Sequence, residues 1–285
     1  MQPTVGYKLV QLANGVHSVY SLAHRETFHP VIGPVAEAEA LYVNQLRLPD
    51  RLRSHESEFV IWDVGLGAAA NALTALKAVQ EIPGCIRLVS FDNTVEPLRF
   101  ALRHADVLGY LGAHEDHLQQ LITCQRVSFS QGSLTVDWQL CLADFPEFLT
   151  QSEVQELPKP HAILFDAYSP AKNPAMWTQP LFAKIFRLLD STRPCAMPTY
   201  SRSTMLRVSL LLAGFFVGSG HATGEKEETT IAANALGLIS EPLDQRWLQR
   251  ARKSTSAEPM WEPIYRQAPL SAETWEKLRD HPQFA

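Results

Sequence analysis

No uninterrupted apolar run in the 285-residue chain reaches the roughly 18 residues that a membrane-spanning helix needs, so no membrane partner is expected. The opening MQPTVGYKLVQLANG lacks a basic stretch followed by an apolar core, which argues against a secretory signal. Cysteine is scarce and scattered. Cys85, Cys124, Cys141 and Cys195 form no CxxC pair, so the pattern supports neither a disulfide framework nor a zinc site, and reduced thiols in a cytoplasmic protein are expected. Positive charge is in deficit: 25 Lys and Arg stand against 30 Asp and Glu. A protein living by non-specific nucleic-acid contacts is usually basic, so any such role here needs a local patch. Repeats and low-complexity linkers are absent too, and nothing in the sequence points to an obligate protein partner.

What is present is an ordinary globular composition, 46% hydrophobic and 19% charged, with length for one enlarged domain and appended segments. The expected organisation is an N-terminal hairpin and helix extension over 1–50, a core domain over 51–235 and a tail segment over 236–285. Asn14-Gly15 is a strong turn signal, and it predicts a hairpin with strands Tyr7–Leu12 and His17–Leu22. A helix is expected near Val35–Leu46. Strands and helices then alternate. The strands are Phe59–Trp62, Ile86–Phe91, Leu134–Leu142, His161–Phe165 and Cys195–Tyr200; the helices are Ala68–Val79, Val95–Leu108, Leu181–Leu189 and Met205–Ala213. Phe215–Val217 and Thr229–Ala233 are expected to pair as a terminal hairpin. This order predicts a doubly wound, mostly parallel α/β sheet of Rossmann-like type, with ligands at the carboxyl ends of its strands. Asp63, Asp92, Asp144 and Asp166 each fall about where a strand stops. Four such carboxylates at one edge suggest a site.

Asp63-Val-Gly65-Leu-Gly67-Ala-Ala-Ala70 joins the first of these strands to its helix. Its glycines permit a tight turn and close approach of a ligand to the backbone, but the run also fits a dinucleotide turn and does not by itself separate a nicotinamide from S-adenosylmethionine. Asp92 is placed either to accept both ribose hydroxyls of an adenosyl ligand or to sit solvated in a loop. Asp144 is either an acceptor for the adenine amino group, with Phe145 covering the ring, or a helix N-cap. The stretch Asp166-Ala-Tyr168-Ser-Pro-Ala-Lys172-Asn173-Pro-Ala-Met-Trp177 is richer in functional side chains than a plain connection needs, and loops at this edge carry function.

That stretch resembles the Asp-x-Phe/Tyr-x-Pro-x-Lys-Asn-Pro-x-Met-Trp loop of the MnmC-type methyltransferases, which finish the methylaminomethyl group on the wobble uridine of transfer RNA. Asn14-Gly15-Val-His17-Ser-Val-Tyr20-Ser21, then Glu26-Thr-Phe28-His29, Gly33 and Glu37, resemble the amino-terminal hairpin region of that family. Ala213-Gly-Phe215 and Gly224-Glu-Lys226 before Thr229–Ala233 extend the likeness to about residues 10–235. The chain departs from the family at Pro30, where serine is common, at Asp92, where the family has glutamate, and at Ala69, where it has glycine. Ala69 is expected to narrow the space for the ligand.

The resemblance implies methyl transfer from S-adenosylmethionine to the amine of 5-aminomethyl(-2-thio)uridine in the tRNA anticodon stem-loop, with no metal and no flavin. Members fused to a flavin-dependent oxidase have a domain for which this length leaves no room, so methylation alone is expected. Asp63, Gly65, Gly67, Asp92, Asp144 and Phe145 are the expected cofactor residues. Asp166 is the expected acid–base group, and Glu37 is either a second carboxylate at the amine or part of a solvated helix face. Tyr168 and Trp177 either stack on a flipped-out uridine or pack in the core. Lys172, Asn173 and Lys226 are expected to hold substrate. Arg202 and the cluster Arg246, Arg250, Arg252 and Lys253 supply either a phosphate patch or a solvated helix face. Competing readings are a nicotinamide-dependent oxidoreductase, an aminopropyltransferase-like enzyme or other small-amine methyltransferase, and a non-catalytic RNA-binding relic. No hydride-transfer dyad follows the glycine turn, which weighs against the first.

Overall fold

A computed structural model describes residues 6–224 and 227–285. The chain divides into two compact units, Met1–Phe145 with Leu164–Asp166 and Ala222–Glu227, and Pro146–Ile163 with Ala167–His221 and Glu228–Ala285.

In the first unit, β1 (Tyr7–Gln11) and β2 (His17–Ser21) pair antiparallel around the Asn-Gly turn, with Gln11 opposite His17. Gly15 has φ 83°, a value open to glycine without a Cβ penalty. A short β3 (Glu26–Thr27) makes a third strand on β2. Next come α1 (Pro34–Ala38), a π-helical segment (Glu39–Asn44) and α2 (Leu48–Arg53). β4 (Phe59–Val64) is buried at every position, as expected for a central strand covered on both faces. It runs into α3 (Ala70–Val79), which packs against α1, the π-helical segment and α2. β5 (Gly84–Asp92) follows. The helix expected over Val95–Leu108 is broken at Arg103–His104 into α4 (Glu96–Leu102) and α5 (Ala105–Leu108). α6 (Glu115–Cys124) and β6 (Arg126–Gln131) complete the path to β7 (Leu134–Leu142). Neither α6 nor β6 is expected from the sequence pattern. β6 is an edge strand on which few residues are buried, so its alternation carries little hydrophobic signal. The one-turn α7 (Phe145–Phe148) follows.

β8 (Ala162–Phe165) contributes its carboxyl end to the first unit and its start to the second. The second unit holds α8 (Gln179–Leu188), β9 (Ala196–Thr199), α9 (Thr204–Leu212), β10 (Phe216–Gly220), β11 (Thr229–Ala233), α10 (Gln245–Lys253) and α11 (Ala272–Arg279). Thr178, Ser203, Asp244 and Ser271 cap α8, α9, α10 and α11, each side chain accepting the N–H three residues on, which satisfies donors the helix cannot. The tail segment, 236–285, holds α10 and α11, and in it Trp247, Leu248, Ala251, Leu278 and Phe284 are buried.

The main sheet has the order β10-β11-β9-β8-β4-β5-β7-β6. Pairings β4–β5, β5–β7 and β8–β9 are parallel, while β6–β7, β9–β11 and β10–β11 are antiparallel. The sheet is thus doubly wound, parallel at its centre with hairpins at its edges. The chain moves outward from β4 through β5 to β7 and then resumes beside β4 with β8. Such a reversal opens a ligand crevice at the strand carboxyl ends. Among the described residues no helix is long and apolar enough to cross a membrane.

Candidate active site

The first unit gathers two sets of polar groups at the carboxyl ends of β4, β5 and β8. One surrounds the glycine turn. Asp63 lies inside β4 instead of ending it, and it is buried. Its Oδ2 accepts the Ser90 hydroxyl at 2.7 Å, and Ser90 in turn accepts the Trp138 indole N–H at 2.9 Å. Oδ1 is buried with no hydrogen-bond partner. Burial raises this carboxyl to about 7, helped by the charges of Asp166 and Asp92 and opposed by the Ser90 hydrogen bond.

Beyond Val64 the backbone N–H groups of Gly65 and Leu66 both donate to the Phe91 carbonyl, at 3.0 and 3.2 Å. Gly65 and Gly67 have φ 98° and 52°, and a Cβ on Gly67 would meet the Phe28 ring at 3.2 Å. Ala69 also has positive φ, 62°, and is fully buried. Its methyl therefore imposes backbone strain, about 1–2 kcal/mol for an L-residue in this region. Asp92 ends β5, its Oδ2 accepting the Gly67 N–H at 2.9 Å and its Oδ1 the Thr94 N–H at 3.2 Å. Burial raises its pKa, and the backbone donors oppose the shift. Asp144 is exposed just ahead of α7. Phe145 is buried, its ring edge-on to Phe91 with centroids 5.0 Å apart.

The second set surrounds Asp166, whose backbone N–H donates to the Val64 carbonyl at 3.0 Å. Asn71 of α3 donates to Asp166 Oδ2 at 2.7 Å. His29, absent from the sequence reading as a functional group, reaches the same oxygen with Nε2 at 3.5 Å and approaches Glu37 Oε1 with Nδ1 at 3.7 Å. These ligand-type atoms all lie within 4.8 Å of one another. Glu37 turns to the inner face of α1 and is 5% exposed, which removes the solvated-face alternative. Burial disfavours charge on the imidazole, but Asp166 and Glu37 outweigh it and raise the His29 pKa. No spacing in the sequence marks His29. It becomes a site residue only when β3, α1, α3 and β8 converge.

In the second unit, Tyr168 and Asn173 are half-buried and Lys172 is exposed. The N–H groups of Lys172 and Asn173 both donate to the Ser169 carbonyl at 2.8 Å, tightening the loop. Trp177 corrects the expectation of an exposed stacking face. It is 1% exposed, donates its indole N–H to the Tyr168 carbonyl at 2.7 Å, and lies edge-on to Tyr200. A buried indole needs such an acceptor, so Trp177 anchors the loop from within. Arg202, Arg246, Arg250, Arg252 and Lys253 are exposed, and Arg252 lies over the Trp275 ring at 4.7 Å. Lys226 lies outside the described residues.

Comparison with known proteins is consistent with this geometry. The family described as S-adenosyl-L-methionine-dependent methyltransferase matches residues 111–235. The tRNA 5-methylaminomethyl-2-thiouridine biosynthesis bifunctional protein MnmC of Aeromonas hydrophila is 32% identical over 212 residues, covering 68% of this chain and 30% of the relative. That of Cupriavidus metallidurans is 30% identical over 224 residues, covering 75% and 32%. The chain thus spans about a third of the length of these curated relatives. The crystal structure of MNMC2 from Aquifex aeolicus shares the fold, with a TM-score of 0.69 at 22% identity over 98% of this chain and 84% of that one.

Proposed function

We propose that this chain, an S-adenosyl-L-methionine-dependent methyltransferase by its family match over residues 111–235 and its likeness to MnmC, N-methylates the amine of 5-aminomethyl(-2-thio)uridine at the tRNA wobble position. The observation that carries this reading is the pair of largely buried carboxylates, Glu37 and Asp166, gathered about His29 beside the glycine turn. A cationic alkyl amine is the substrate such a pair would select.

The residues around the turn fit the cofactor. Asp63 Oδ1 is a buried acceptor without a donor, suited to a ligand ammonium, and Asp92 at the end of β5 is the acceptor we assign to the ribose hydroxyls. When bound, S-adenosylmethionine supplies a methyl group activated by the sulfonium. The protein supplies the rest. An alkyl amine of this kind titrates below lysine's roughly 10.4 and is mostly protonated at neutral pH, and an ammonium has no lone pair for attack. Asp166 binds it and takes its proton. Holding nitrogen in line with the methyl provides most of the acceleration. Tyr168, Lys172 and Asn173 are assigned to the nucleotide by the loop motif, and Arg202 and the exposed basic face of α10 to phosphates; a tRNA substrate supports a cytoplasmic location.

Incubation of the protein with methyl-labelled S-adenosylmethionine and an anticodon stem-loop bearing aminomethyluridine tests the proposal. Mass spectrometry of the digested nucleosides should find one added methyl, on the aminomethyl nitrogen. No transfer, or a methyl on another atom, would overturn it.

A further inference from the structure

We propose that His29 is a positioning residue that holds the proton removed from the substrate amine, receiving it through Asp166. The inference rests on the amine reading above and adds the destination of the proton. His29 is held by the elements on either side of it. Ser18 of β2 donates its hydroxyl to the carbonyl of Phe28, the preceding residue, and His29 itself has φ 49°. The ring presents Nε2 to Asp166 and Nδ1 to Glu37, and its side chain is 8% exposed against 6% for Glu37 and 16% for Asp166. Asn71 pins the shared Asp166 oxygen. Asp63, whose carboxyl burial raises to about 7, is coupled electrostatically to Asp166. Tyr110 lines the small cavity that His29 also lines and donates its hydroxyl to the Ala68 carbonyl at 3.1 Å, and burial raises its pKa, so it remains neutral.

The charges of this cluster are therefore one ring cation against carboxylates, and the ring and the arriving amine compete for a proton. Arrival of the ammonium beside Asp166 drives the ring proton to solvent by like-charge repulsion, and the step starts from the neutral ring so formed. An N–H bond of the ammonium breaks and its proton moves to an Asp166 carboxylate oxygen. A proton then passes from Asp166 to Nε2, which leaves carboxylate, imidazolium and a neutral amine whose nitrogen keeps the electron pair. An imidazolium with a carboxylate at each nitrogen is favourable in a buried site, so the ring holds the proton better than water would. Without the ring, the amine must lose its proton to solvent.

Two measurements test this. First, NMR titration of the ¹³C-labelled histidines should show His29 titrating above its ordinary value of about 6.5, and Glu37→Gln should bring it down. An unshifted or lowered His29 in the wild type would overturn the inference. This result does not depend on any substrate, so it remains decisive even if the stem-loop is not methylated and the amine reading itself fails. Second, single-turnover methyl transfer by His29→Gln, with His29→Asn as an alternative should that variant not fold, should fall about 10²-fold at neutral pH. The deficit should close toward pH 9, with S-adenosylmethionine affinity unchanged. A deficit equal at every pH would mean a merely structural role, and a wild-type rate would mean none; either sinks the idea.

Discussion

Asp92 at the end of β5 accepts the backbone N–H of Gly67, in the turn after β4, at 2.9 Å. The second strand's carboxylate thereby fixes the shape of the first strand's turn. Asp92→Ala removes that clamp together with the acceptor proposed for the ribose. Hydrogen bonds to charged groups contribute about 1.5–3 kcal/mol, so S-adenosylmethionine should bind roughly 10- to 100-fold more weakly in calorimetry. Wild-type affinity in this variant would remove Asp92 from the site.

Asp63 makes stability depend on pH. Burial holds its folded-state value at about 7, above the roughly 3.9 of an unfolded chain. The native state thus binds more protons across that window, and the contribution is lost as pH rises from about 4 to 7. Three units correspond to about 4 kcal/mol at most. Asp63→Asn should flatten the decline in unfolding midpoint between pH 5 and pH 8. Parallel declines in variant and wild type would show that Asp63 titrates normally.

Affinity should move the opposite way. If a ligand ammonium pairs with ionised Asp63, S-adenosylmethionine should bind more tightly as pH rises through about 7, and Asp63→Asn should abolish the rise. Isothermal titration at pH 6 and pH 8 decides it; equal wild-type affinities would count against the pairing.

Asp166→Asn keeps the size of the side chain and loses its basicity. Turnover should fall about 10²–10⁴-fold, as for loss of a general base, with S-adenosylmethionine binding nearly unchanged. The loss should ease at high pH, where more amine is already neutral. A defect lying wholly in cofactor affinity would move Asp166 to the cofactor set and leave Glu37 as the next candidate.

Gln283, near the carboxyl end, accepts the Val217 N–H at 2.7 Å and donates to the carbonyls of Val217 and Leu243 at 2.7 and 2.8 Å. It pairs with the backbone of β10 much as a neighbouring strand would. Gln283→Ala strands a buried N–H and should cost about 2 kcal/mol, read as a lower urea midpoint at constant slope. An unchanged midpoint would make this end of the chain dispensable.

Much of the architecture was legible because its signals are local. The continuous apolar runs of β4 and β8, the Asn-Gly turn and the acid–glycine turn each depend on neighbours in sequence, and the Asp166–Trp177 loop is specific enough to suggest a family. The broken α4–α5 helix, edge strand β6 and the packing of α11 were not legible. In each case long-range packing outweighs a weak local pattern. Trp177 shows the same limit, since an indole in a functional loop and one in a core read alike until burial is known.

The sequence by itself determined which residue types reach the carboxyl edge of the sheet, because strand period and turn chemistry are set by adjacent residues. Only the tertiary structure decided what they do there. Bringing His29, Glu37, Asn71 and Asp166 together requires four elements to converge, and burial then sets their charges: the same carboxylate that would be an ordinary anion in water becomes, as Asp63 inside β4, a group raised to about 7. Desolvation and proximity are properties of the folded chain, and no spacing of residues encodes them.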